Sequence, residues 1–99
     1  MSSLPLSIAT GPTDQPLLTE TIPANLARTV SQHGAREALV ACHQDIRWSY
    51  AEFHHRVQHL ARALMALGLG RGERIGLWSP NYAEWTLVQY ATAEIGAIL

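Results

Sequence analysis

Three glycines at alternate positions, Gly68, Gly70 and Gly72, with Arg71 among them, are the residues whose type and spacing most suggest chemistry, namely the cradling of a phosphate. Such a cradle works by turning backbone N–H groups and a helix N-terminus toward the anion, so it follows a strand and opens a helix. Here the order is reversed: the glycines follow a helical pattern and precede an apolar run of strand length. A nucleotide-binding loop ending in Gly-Lys-Ser/Thr is also excluded, because all seven basic residues of the chain are arginine. The glycines therefore read as a helix terminus and a turn.

The Ser79-Pro80-Asn81 turn lies in the favourable order, after a strand and before a helix, at the carboxyl edge where open α/β sheets bind ligands. Ser79 and Asn81 are the candidate ligand-facing residues. Both types also cap helices, and capping accounts for at least one of them. His55 and His59, at i and i+4, share a helical face as two zinc ligands would, but Arg62 shares it too and no third ligand accompanies them. They read as a solvated face, and no metal site is assigned. Cys42, the single cysteine, is expected as a small buried residue within a strand, and no Gly-x-Ser-x-Gly elbow is present, so no catalytic nucleophile is assigned either. Trp48, Trp78 and Trp85 are each set in an apolar segment and are expected to fill core volume.

These residues must be positioned by a small framework. At 99 residues, 47% hydrophobic, 15% charged and with a formal charge of -1, the chain has the composition of one ordinary globular domain. The scattered arginines make no basic stripe, so a nucleic-acid partner is not expected. One cysteine points to a reducing, cytoplasmic setting. The first twenty residues lack a basic n-region, break their apolar patch at Pro5 and carry no arginine, and so read as a flexible leader, neither signal peptide nor membrane span.

From Thr21 onward the local signals are strong. Pro23 suits a first helical turn with Thr21 as its cap, and the helix should end at Gly34, with Leu26 and Val30 inward. Residues 38–42 and 46–48, around the polar turn His43-Gln44-Asp45, predict a β-hairpin. Ser49 and Glu52 form a capping-box pattern for a helix ending near Leu67, whose Phe53, Val57, Leu60, Ala61, Leu64 and Leu67 fall on one face. Gly68 closes it, and residues 74–78 predict a strand. Asn81 and Glu84 repeat the start signal for a last helix to about Ile95, with Trp85, Val88, Thr92 and Ile95 on one side. Gly96 ends that helix, and Ala97-Ile98-Leu99 begins another strand, which a β-α-β crossover would return parallel to the first. The fold class is α/β, in the order helix, hairpin, helix, strand, helix, and an apolar strand running to the last residue is expected to continue as part of a larger α/β sandwich domain.

From residue 46 onward the chain resembles the beginning of the AMP-forming acyl-adenylate family. Trp48-Ser49-Tyr50-Ala51-Glu52-Phe53 is similar to the first core motif, and Ala93-Glu94-Ile95-Gly96-Ala97-Ile98-Leu99 to the start of the second, with Glu94 where lysine is usual. The likeness covers residues 21–99, and residues 76–99 look most like medium- or long-chain fatty acyl-CoA synthetases. The resemblance implies an N-terminal segment of an enzyme that uses ATP, Mg and a fatty or other carboxylic acid to make an acyl-adenylate, then passes the acyl group to CoA. It also implies that the Ser/Thr/Gly-rich phosphate loop and charge-stabilising lysine lie in the remainder of the synthetase domain, so that this chain alone binds no cofactor and is inactive. The alternative from another class is a complete small α/β binding module, such as one piece of a split synthetase.

Overall fold

A Pro-containing first turn with a threonine before it starts α1 (Ile22–His33): Thr21 Oγ1 accepts the Ala24 N–H at 3.2 Å. The structure, a computed structural model, describes residues 3–99. Residues 3–20 form neither helix nor strand, and Glu20 at their end accepts from Asn25 Nδ2 at 2.8 Å and from the Arg28 guanidinium.

After α1 the chain pairs β1 (Glu37–Ala41) antiparallel with β2 (Ile46–Ser49), with Leu39 opposite Trp48, Ala41 opposite Ile46, and a register irregularity between Glu37 and Leu39. The turn between them is a single 3-10 turn, Cys42–Gln44, closed by Asp45 in the left-handed region at φ 53°. Aspartate tolerates that conformation because its short side chain can bond locally. Cys42 was expected inside a strand and buried; it lies in this turn and is exposed. The strand stops one residue earlier than its apolar run because Cys42 is taken into the 3-10 turn, where its carbonyl accepts the Asp45 N–H.

Helix α2 (Tyr50–Ala66) is fixed at its start by the complete capping box: the Glu52 N–H donates to Ser49 Oγ at 3.2 Å and the Ser49 N–H to Glu52 Oε2 at 2.9 Å. Loss of such a cap costs about 1 kcal/mol. Phe53, Val57 and Ala61 are its buried residues, and Phe53 and Val57 form the centre of the core with Leu26 of α1. The Gly68 N–H donates to Met65 O at 2.9 Å and the Leu69 N–H to Leu64 O at 3.2 Å, with Gly68 at φ 88°, so the end of α2 is the left-handed terminus its glycine suggested.

Helix α3 (Ala83–Ile95) ends in the same way at Gly96, φ 73°, where the Gly96 and Ala97 N–H groups donate to Ala93 and Thr92 carbonyls. The chain then returns parallel to residue 74, through one Arg74–Ile98 bridge with Ile98 N–H to Glu73 O at 2.7 Å and Ile75 N–H to Ile98 O at 2.8 Å. The predicted parallel crossover is present, but the strand predicted over 74–78 shrinks to that bridge, since Ile98 gives it a partner only at its first residues. Trp78, expected in the core, stands fully exposed at the unpaired end. Trp48 and Trp85 are half-buried. The face of α3 turned to the rest of the fold also differs from expectation: Leu87 and Tyr90 pack on the core and Ala83 and Ala91 are buried, whereas of the predicted Trp85, Val88, Thr92 and Ile95 side only Thr92 is buried. Polar Glu84, Thr86, Gln89 and Glu94 are spread round the helix among its apolar residues, so its periodicity marks no single face strongly.

Candidate functional site

Most of the backbone N–H groups of 68–73, those of Gly68, Leu69, Gly72 and Glu73, are bonded within the fold. Besides the bonds that end α2, the Gly72 N–H donates to Gly96 O at 2.9 Å and the Glu73 N–H to Gly70 O at 3.1 Å. Donors committed to protein carbonyls cannot also gather a phosphate, and no helix opens after them. The residues present therefore do not make a cradle for a nucleotide phosphate. Their arrangement instead turns the chain from α2 into the return strand.

The 79–81 loop is held tightly between that strand and α3. Trp85 Nε1–H donates to Ser79 O at 3.0 Å, the Tyr82 N–H to Pro80 O at 2.8 Å, and Ser79 Oγ–H to Pro80 O at 2.9 Å. Neither Ser79 nor Asn81 caps the helix: the N-cap position is Tyr82, which offers no side-chain bond. The capping role assigned from the sequence is thus corrected, because α3 begins one residue later than Asn81 would require. Asn81 is exposed and lines an open cleft of 480 Å³ between β1, the 3-10 turn and the start of α3, with Leu39, Cys42, His43 and Tyr82 among its walls; Ser79 does not line it.

The missing cap comes from the hairpin turn. Gln44 Oε1 accepts the Ala83 N–H at 2.7 Å, and Gln44 Nε2 donates to Glu84 Oε2 at 2.9 Å. Sequence reading missed Gln44, and the only local trace of it is that tyrosine is a poor capping residue. The Gln44 amide, followed by the backbone N–H of Glu84 itself and the nearby His43, holds the Glu84 carboxyl below its ordinary value, against a small opposing desolvation. At the other end of the domain, the Arg28 guanidinium, then the Asn25 amide, lowers the carboxyl of Glu20 in the same way.

Both carboxyls are more acidic folded than unfolded, so their contribution is fully present above the unfolded carboxylate range, near about 4.3, and is lost as pH falls through the folded values. The urea midpoint of the chain should accordingly decline on acidification below that range. Arg28→Gln should remove the part due to Glu20 and flatten the decline; an unchanged acid profile in that variant would contradict the pairing.

The remaining candidates are dispersed. His55 and His59 are exposed along one groove of 790 Å³ with Arg56, while Glu52 on the same rim is engaged in the capping box. His54 turns away from them, its Nε2 3.9 Å from Glu94 Oε1 of α3. Trp48 carries the Arg56 guanidinium 4.6 Å above its ring, which makes it a packing surface for a cation of the same chain. Among the described residues no helix is long and apolar enough to cross a membrane.

Comparison with known proteins follows this geometry. Residues 26–99 match the model of a family described as "AMP-binding enzyme". The chain is 42% identical over 97 residues to the mitochondrial medium-chain acyl-CoA ligase ACSF2 of Danio rerio, an alignment covering 98% of this chain and 16% of that protein. Its fold is similar to a fatty acyl CoA synthetase of Mycobacterium tuberculosis, with TM-score 0.74, 30% identity, and coverage of 78% of this chain and 15% of that one. It is also similar to the N-terminal domain of FACL13 from the same organism, with TM-score 0.75, 29% identity, and coverage of 80% and 20%. The chain thus spans about a sixth of the length of the curated relative it matches.

Proposed function

The chain belongs to the AMP-binding enzyme family, and from that premise we propose that it works as the N-terminal segment of an AMP-forming acyl-CoA synthetase, residues 1–20 as a leader and 21–99 as part of the ligase domain. The observation that carries the reading is the 42% identity, across nearly the whole chain, to a medium-chain acyl-CoA ligase. In the complete protein a fatty or other carboxylic acid and ATP would give an acyl-adenylate and pyrophosphate, and CoA would then take the acyl group and release AMP.

Within that reaction the 99 residues supply framework. No lysine is available in them to offset developing phosphate charge, and the Gly68 and Gly72 N–H groups are bonded within the fold. ATP, Mg and CoA would therefore be held by the remainder of the domain. The apolar second side of α3 and the exposed Trp78 at an unpaired strand end are what a segment awaiting further layers of an α/β sandwich presents. Asn81, on the open side of the 79–81 loop, is the residue best placed to face a ligand once that remainder is there; Ser79 would do so through a turn of its hydroxyl away from Pro80. A cytoplasmic location is part of this proposal, as a reducing setting that suits a chain whose single cysteine is exposed.

The test is ATP–pyrophosphate exchange with a panel of fatty acids. It should be run on the 99-residue chain and on a chimera in which this chain replaces the matching segment of the Danio rerio ligase. Exchange is expected from the chimera and none above the blank from the chain alone. Turnover by the isolated chain, or a folded chimera without exchange, would sink the reading.

A further inference from the structure

One side chain ties two segments that lie far apart in sequence. Gln44, at the tip of the β1–β2 hairpin, reaches both the first backbone N–H of α3 and the Glu84 carboxylate, across 39 and 40 residues. The chemistry of that pair is demanding. The Ala83 N–H is a donor with no partner inside its own helix, and an ionised carboxylate only accepts. A primary amide answers both at once, with its oxygen toward one and its nitrogen toward the other. Glutamate would keep the acceptor and set a second anion against Glu84; methionine, of similar length, offers neither bond.

The consequence extends beyond the helix start. The His43 ring lies 5.1 Å from the Tyr82 ring, on the residue that joins the 79–81 loop to α3. From the other side, the Trp85 indole holds Ser79 O, so the loop is closed between the first turn of α3 and the return strand. Whatever fixes Ala83 and Glu84 against the hairpin also fixes where Ser79, Pro80 and Asn81 stand. We propose that Gln44 is the positioning residue of the 79–81 loop, acting as a two-ended amide clamp between the hairpin turn and the N-terminus of α3. The clamp rests on the ligase reading only for the identity of the ligand that Asn81 would meet.

The test uses the isotopically labelled 99-residue chain, with amide exchange, carboxyl titration and the Trp85 indole resonance read by NMR. Gln44→Met should speed exchange at Ala83 by roughly 3- to 10-fold. It should also raise the Glu84 titration toward the ordinary carboxylate range and shift the Trp85 indole proton together with the Ser79 and Asn81 amides. Gln44→Glu should recover the Ala83 protection at neutral pH while moving the Glu84 titration upward. A side chain that merely filled space would not separate the two readings in this way. The clamp is overturned if Gln44→Met leaves Ala83 and Glu84 unchanged, or if it alters them without moving Ser79, Asn81 and the indole. Should Gln44→Met fail to fold by circular dichroism, Gln44→Glu decides alone: recovery at Ala83 with a raised Glu84 titration supports the clamp, and uniform loss at both overturns it. None of these readings involves turnover, so failure of the chimera and failure of the clamp are told apart.

Discussion

Phe53→Ala is expected to lower the urea midpoint of the chain by roughly 2 M, the equivalent of about 3–5 kcal/mol at the slopes usual for small domains. Phe53 is 4% exposed and meets Tyr90 of α3 edge-on, with ring centroids 5.4 Å apart and planes at 83°. It therefore joins the α1–α2 contact, through Leu26, to the α2–α3 contact, through Tyr90. Truncation leaves a cavity where three helices meet, and the loss is at least a fifth of the roughly 5–15 kcal/mol that holds a domain of this size. Val40→Ala is the control, since Val40 is 43% exposed on the hairpin and should cost under about 0.5 kcal/mol. If the two variants unfold at the same urea concentration, the core does not centre on Phe53.

The second large effect belongs to Gly96. Its φ of 73° lies in the left-handed region, where an L side chain costs about 1–2 kcal/mol and a β-branched one more. A Cβ there would also sit 3.3 Å from Arg71 Cγ, so that the Arg71 side chain must yield slightly, while Arg71 Cα at 3.6 Å is in ordinary contact. Gly96→Val should destabilise by about 2 kcal/mol or more and speed amide exchange at Gly72, Ile75 and Ile98, which share the return strand's bonds. Gly76→Ala should cost under about 0.5 kcal/mol, because a Cβ at Gly76 meets nothing within 4 Å. Equal effects from the two substitutions would contradict the role given to Gly96.

What the sequence made legible was local. Ser49 and Glu52 announce α2 because both partners of the capping box lie within one turn, and Gly68 and Gly96 announce helix ends because only the residue itself has to take up the left-handed conformation. The errors arise where the deciding partner is remote. Asn81 and Glu84 looked like a start signal, yet α3 starts at Ala83 with its cap supplied from Gln44. Trp78 sits in an apolar run, but burial depends on what pairs with the run, and Ile98 reaches only its beginning. The face of α3 was misread because polar and apolar residues are interspersed round the helix, which gives periodicity little to choose from. Cys42 was misplaced because a 3-10 turn took the residue that the apolar run assigned to the strand.

The Gln44 cap also sets an order of events during synthesis. A ribosome takes roughly 2–8 s to add the 39 residues that separate Gln44 from Ala83, whereas a hairpin forms in roughly 1–10 μs. The turn that carries Gln44 can be in place long before the helix it caps has left the exit tunnel. Helix α3 then need not nucleate unaided, since its first free N–H emerges toward an acceptor already waiting for it. The early half of the chain thus offers a template to the late half, and the pairing of Ile98 with Glu73 and Ile75 can follow only once the last residues are made.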